Sequence, residues 1–221
     1  SIMINCRGRR FANEAQPYED LVKAQYASHA RGEESIPCYL VFDARFRGKY
    51  AVGHIKPGKV EADRKIPPEN FENGLLTKGE TLGELALKLG IDPASLEDTV
   101  QRFNEHARRG EDPEFGRGST IHDRYYADKK VSPNPSLAPL DQAPFYALRC
   151  DPGDLDTKGG LKCDEYARVL DANDNVIEGL YAAGNASAAV MGDTYPGAGA
   201  TIGSAMTFAY IAAQQAFADS G

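Results

Sequence analysis

The sequence predicts an α+β fold in two parts: a mixed helix–strand domain over residues 1–143, then a strand–loop–helix unit over 144–221. Three observations predict it. A pair of capped amphipathic helices stands between Thr81 and Ala107. A polar stretch rich in Gly, Pro, Asp and Arg runs from Gly110 to Pro144 and separates that pair from the carboxy-terminal region. Beyond it, short strand-like runs alternate with turns and lead through a glycine-rich loop into one long apolar helix.

In chain order, Ser1–Asn5 is a short apolar run stopped by Cys-Arg-Gly, a strand and its turn. Arg7, Arg9 and Arg10 follow, a basic cluster whose plainest reading is a solvated turn. Pro37–Asp43 is continuous and aromatic-rich, a strand expected to be buried on both faces. Three prolines between Lys56 and Asn73 make that segment irregular. Thr81-Leu-Gly-Glu84 has the capping-box pattern, with Leu82, Leu85 and Leu89 behind it at helical spacing and Gly90 as the stop. Asp92-Pro93 opens the second helix, on which Leu96, Val100, Phe103 and Ala107 form one stripe. After Pro144, the runs Phe145–Cys150, Arg168–Leu170 and Gly179–Ala183 read as strands, with Asn173-Asp174-Asn175 as a hairpin turn. Thr201–Ala218 is mostly apolar and is expected to be largely buried.

Composition removes several function classes. A net charge of −7 argues against a nucleic-acid partner. The four cysteines, Cys6, Cys38, Cys150 and Cys163, contain no C-x-x-C pair, which argues against a zinc site or a disulfide framework. None of His29, His54, His106 and His122 has a metal-like i, i+4 partner. No run approaches the ~20 apolar residues of a membrane span, and residues 1–10 contain no signal-type apolar stretch. A cytoplasmic location is expected.

The chemistry concentrates between Gly179 and Phe208. The segment reads as a strand, a loop containing Gly192, Gly197 and Gly199, and a helix opening near Ala200–Thr201. Glycines let backbone approach a ligand closely, and a helix start aims free N–H groups and a positive dipole end at whatever lies over it. Such an end suits developing negative charge. The same glycines also serve tight helix–strand packing, and on physics alone the two readings stand level.

Particular motifs carry a resemblance. Gly179-Leu-Tyr-Ala-Ala-Gly184 is similar to the carboxy-terminal FAD contact of the fumarate reductase flavoprotein superfamily. Tyr195-Pro-Gly-Ala-Gly199-Ala-Thr-Ile202 resembles the corresponding stretch of the 3-ketosteroid dehydrogenases. The run from Ser1 through Arg9-Arg10-Phe11-Ala-Asn13-Glu14, the pair Pro144-Phe-Tyr-Ala147 and Thr157-Lys-Gly-Gly160, and Gly90-Ile-Asp-Pro93 in the helix pair resemble further segments of that group. Fumarate reductases carry a catalytic arginine near the last helix, whereas this chain has no arginine after Arg168.

The resemblance implies a substrate-binding (capping) domain over 1–143 and the carboxy-terminal portion of an FAD-binding α/β domain over 144–221. It implies FAD as cofactor and removal of hydrogen from a carbon–carbon bond beside a ketone, in a small-molecule substrate that is a steroid. Tyr195 and the Gly199 N–H are implied as the pair that polarises the ketone, and Tyr18 as the base, with Tyr50, Tyr125 and Tyr126 as other candidates. Ala183, Gly184 and Asn185, with Ala200, Thr201 and Ile202, are the implied flavin contacts. No G-x-G-x-x-G loop followed by an acidic residue is present, so the ADP-binding half is expected from an amino-terminal segment or a partner chain. The alternatives are a fumarate reductase-like flavoprotein acting on another enone or carboxylate, and a cofactor-free subunit or binding module.

Overall fold

The computed structural model describes residues 1–154 and 157–220, which divide into two units, Ser1–Pro152 and Gly153–Gly221. The first is built on strands β1 (Ile2–Ile4), β2 (Cys38–Asp43), β3 (Leu76–Gly79) and β4 (Phe145–Cys150). They form an antiparallel sheet in the order β1-β2-β4-β3. Val41 stands opposite both Ile2 and Ala147, and Phe42 opposite Tyr146. Strand alternation then sorts the side chains. Ile2, Ile4, Val41, Phe145 and Ala147 face one core, while Phe42, Tyr146 and Leu76 face another with Val52, Ile55 and Ile66. The expected two-sided burial of β2 follows from the two cores on its opposite faces, Val41 in one and Phe42 in the other.

Helices α1 (Tyr18–Ala30), α2 (Ala44–Lys49), α3 (Glu69–Glu72), α4 (Leu82–Leu89), α5 (Pro93–Arg109) and α6 (Ile121–Tyr125) complete this unit. The Thr81 hydroxyl accepts the Glu84 N–H at 3.0 Å, and the Glu84 carboxylate accepts the Glu80 N–H at 2.8 Å. Gly90 takes φ 71° at the α4 terminus, and Asp92 caps α5 by accepting the Ser95 N–H at 3.1 Å. Leu85, Leu96, Val100, Phe103 and Ala107 join the first core, so the two helices cover one face of the sheet.

Three sequence expectations shift here. The strand Phe145–Cys150, expected to belong to the second part, pairs with β2 and β3, so the units divide after Pro152 rather than after 143. The polar stretch 110–144 packs onto the first unit: Leu137 and Leu140 are core residues, and Asn104 binds the N–H and C=O of Leu140 at 2.7 and 2.8 Å. The basic cluster is a solvated turn only in Arg7 and Arg9. The Arg10 side chain is 1 % exposed and doubly bonded to both Glu14 and Asp112 at 2.7–2.9 Å. Its guanidinium lies 5.1 and 4.8 Å from the ring centres of Phe103 and Phe115.

The second unit contains β5 (Arg168–Leu170) and β6 (Val176–Tyr181), an antiparallel hairpin, then a short 3-10 turn at Gly184–Ala186 and helix α7 (Ala200–Asp219). Asp171 closes the hairpin by accepting the N–H groups of Asn173 and Asn175 at 2.8 and 2.9 Å. None of the twenty residues of α7 is buried, and Ile202, Met206, Tyr210 and Phe217 are 65–85 % exposed. The expectation of burial fails because an apolar helix is covered only where a facing layer exists, and within its unit α7 meets mainly β6 and the turn at Gly184–Ala186 among the described elements.

Candidate active site

A cavity of about 310 Å³ lies within the second unit. The end of β6 brings Ala182, Gly184 and Asn185 to it, and the first turns of α7 bring Ala200, Thr201, Ser204 and Phe208. The wall opposite consists of Thr157, Lys158, Cys163, Asp164 and Glu165. This wall is locked in place by backbone. Leu161 pairs in parallel with Ser187, Leu161 N–H reaches Ala186 O at 2.9 Å, and Ala189 N–H reaches Lys158 O at 2.9 Å. Gly160 is required there, since a Cβ would fall 2.5 Å from the Ser187 carbonyl carbon and 2.8 Å from Ala186 O.

Beside the cavity runs an open groove lined by Pro196, Gly197, Ala198 and Gly199, sharing Met191, Ala200 and Ser204 with it. Gly199 is the residue before α7 and takes φ 88°, a left-handed conformation that glycine adopts without strain. No side chain caps this helix end. The Ala200 N–H turns back to Gly197 O at 3.2 Å, and the start of the helix borders the groove, its dipole end with it. Nothing stands within 4 Å of where a Cβ would be on Gly192, Gly197 or Gly199, so the loop leaves room for a ligand rather than packing the helix onto a strand. Only Gly184 approaches the helix, its would-be Cβ 3.3 Å from Ala205.

Tyr195, at the head of the groove segment, is half-buried, with the Lys158 ammonium 5.7 Å from its ring centre. The same ammonium donates to Thr194 O at 2.6 Å. Tyr195, Gly199, Ala183, Gly184, Asn185, Ala200, Thr201 and Ile202 all belong to this unit. Ala183, Tyr195 and Ile202 border neither the cavity nor the groove. Tyr18 belongs to the first unit, as the first residue of α1, and is 49 % exposed. Tyr50 hydrogen-bonds Asp128, and burial together with that carboxylate pushes its phenol up, the wrong direction for a base. Tyr125 and Tyr126 are exposed and meet edge-on at 4.8 Å.

The chemistry this arrangement allows is donation to an oxygen that gains negative charge. An uncapped helix end borders a ligand-sized space lined by small residues, and the Tyr195 phenol belongs to the residue just ahead of the groove segment. An extended cofactor fits that lining: glycine and alanine at the β6 end and the α7 start, with Thr157, Thr201 and Ser204 supplying hydroxyls. Among the described residues no cluster of three or more His, Cys, Asp or Glu side chains could hold a metal ion. No described helix is long and apolar enough to cross a membrane. Sequence reasoning missed Lys158, although it stands in the Thr157-Lys-Gly-Gly160 motif. Its contact with Thr194 spans 36 residues, and no local pattern encodes it.

The chain is similar to known proteins over nearly its whole length. The family described as FAD binding domain matches residues 1–202. The 3-oxosteroid 1-dehydrogenase of Mycolicibacterium smegmatis is 46 % identical over 96 % of this chain and 37 % of its own length. The 4-oxocyclohexanecarboxylate 2-dehydrogenase of Sinomonas cyclohexanicum is 44 % identical over 96 % of this chain and 36 % of its own. Among solved structures, the 3-ketosteroid delta1-dehydrogenase of Sterolibacterium denitrificans, in complex with 1,4-androstadiene-3,17-dione, superposes with a TM-score of 0.94. It is 46 % identical, over 99 % of this chain and 38 % of that one. The chain thus spans little more than a third of the length of the relatives it matches.

Proposed function

The chain belongs to the FAD binding domain family, and from that premise we propose that it is part of an FAD-dependent dehydrogenase that desaturates a carbon–carbon bond beside a ketone, in a 3-ketosteroid. The observation that carries this reading is the groove at Pro196–Gly199, which Tyr195 precedes in the chain. It runs into an uncapped helix end and shares three residues with a cavity of small side chains.

Gly184, Asn185, Ala200 and Thr201 are the residues that would hold the flavin, with Ala183 and Ile202 flanking them. When bound, FAD supplies the hydride acceptor. The Tyr195 hydroxyl and the Gly199 N–H donate to the substrate ketone, whose oxygen gains charge as the neighbouring carbon loses its proton. Tyr18 Oη takes that proton. Tyr18 opens α1, where the helix dipole favours a negative side chain, although Glu19 and Asp20 share the first turn. Residues 1–152 would form the substrate-binding part and the later residues the flavin-contacting part. The bare apolar face of α7 supports a larger flavin lobe in the whole protein.

The test uses the full-length protein. Its visible flavin band should bleach anaerobically on addition of a 3-ketosteroid. Tyr195→Phe should lower turnover by about 10²-fold or more while the flavin content stays the same. Unchanged turnover removes Tyr195 from the mechanism. A second reading has the 44 % identical relative behind it: a smaller cyclic oxo-acid as substrate. Bleaching by 4-oxocyclohexanecarboxylate but not by the steroid would select it.

A further inference from the structure

We propose that Lys158 is the positioning residue for Tyr195, holding the phenol in place ahead of α7. The inference rests on the reading of Tyr195 as donor to the substrate ketone.

Lys158 is tied to the stretch before Tyr195 at both ends. Its backbone carbonyl accepts the Ala189 N–H at 2.9 Å, and its ammonium donates to Thr194 O at 2.6 Å while lying 5.7 Å from the Tyr195 ring centre. Between these anchors the loop makes short-range bonds. Gly192 N–H reaches Ala189 O at 2.9 Å, and the Thr194 hydroxyl reaches Met191 O at 2.8 Å. After Tyr195, Gly197 and Gly199 take φ 138° and 88° with nothing near their would-be Cβ positions.

The lysine itself stands on firm ground, because the neighbouring Gly160 backbone abuts Ser187 and the Leu161–Ser187 bridge continues the contact. A cation over an aromatic face gains from the ring quadrupole, and a second bond from the same ammonium to the preceding carbonyl fixes both the ring and its backbone. An arginine can make both contacts. A methionine of similar length can make neither.

The experiment compares Lys158→Met, Lys158→Arg and Lys158→Gln in the full-length, FAD-loaded protein. Amide hydrogen exchange across residues 191–199 should rise about tenfold or more in Lys158→Met and Lys158→Gln and stay near wild type in Lys158→Arg. Turnover of a 3-ketosteroid should fall about tenfold in Lys158→Met, with KM and flavin content within about twofold, and recover in Lys158→Arg. In a Tyr195→Phe background the same change should cost nothing further. Unchanged exchange in the loop, loss of flavin, or an equal loss of turnover in the Tyr195→Phe background overturns the proposal. If the wild-type protein does not oxidise a 3-ketosteroid, the substrate reading fails, and loop exchange still decides the positioning role.

Discussion

Helices α5 and α7 are of similar length and meet opposite environments. Over Pro93–Arg109, α5 buries Leu96, Thr99, Val100, Phe103, Asn104 and Ala107 against its own unit. Over Ala200–Asp219, α7 is the more apolar sequence and buries nothing. The first helix alternates apolar and charged faces, and its stripe meets the sheet face of Ile2, Val41 and Ala147. The second has no charged face to separate, and the only buried apolar residues described in its unit are Ala167, Val169 and Ala182. Amphipathicity specifies which side is covered. Apolarity on all sides specifies only that something must cover the helix. The unit with the candidate flavin contacts leaves an apolar helix open, and the first unit is stapled by a buried ion cluster.

The largest expected effect lies in that cluster. Arg10 answers two carboxylates, Glu14 and Asp112, whose side chains are 4 % and 1 % exposed. Arg10→Leu leaves both charges buried and should cost about 3–5 kcal/mol, read as a lower urea midpoint for the first unit. Acid should act on the same group. Burial is the largest single influence and would raise the Glu14 and Asp112 carboxyls, but the Arg10 hydrogen bonds and charge, with Arg117 at Glu14 and backbone N–H groups at both, together offset it and hold them below their ordinary 4.5 and 3.8. The unfolded chain therefore takes up protons at a higher pH than the folded one. The stabilisation is complete above that range and drains away as pH falls through it. A stability flat from pH 6 down to about 3 would break the contrast between the units.

A smaller effect is expected at Gly160. Gly160→Ala puts a methyl group against main chain that has no rotamer to change, 2.5 Å from the Ser187 carbonyl carbon. A cost of about 1–3 kcal/mol is expected, together with loss of flavin from the full-length protein, since the displaced wall carries Thr157 and Lys158. Retained flavin at unchanged stability would mean that the wall is not built on this contact.

How much the sequence disclosed depends on the range of the interactions. The capped helices announce themselves because Thr81, Glu84, Gly90, Asp92 and Pro93 act within one turn. The strand-to-helix run around Gly184 and Gly199 is equally local, and the resemblance supplied its chemical meaning. The burial of Arg10 stayed hidden because its partner Asp112 lies 102 residues away. The membership of Phe145–Cys150 stayed hidden because its pairing with Cys38–Asp43 spans most of the first unit. For α7 the signal was misread in one respect only: composition states a demand for burial and does not supply the surface that meets it.

The smallest effect tests how the two helix starts differ. Helix α4 is closed at its amino end by the Thr81 hydroxyl on the Glu84 N–H and by Glu84 reaching back to the Glu80 N–H. Helix α7 begins at Gly199, which has no side chain to do this. Thr81→Ala should therefore cost about 1 kcal/mol, with faster amide exchange confined to the first turn of α4 and the α5 core untouched. The start of α7 should already exchange fast without ligand and slow when FAD is added to the full-length protein, because there the ligand takes the place of the cap. If the α7 start is as protected as α4 before any flavin is added, then something other than a ligand closes it, and its reading as a donor site for a developing oxyanion fails.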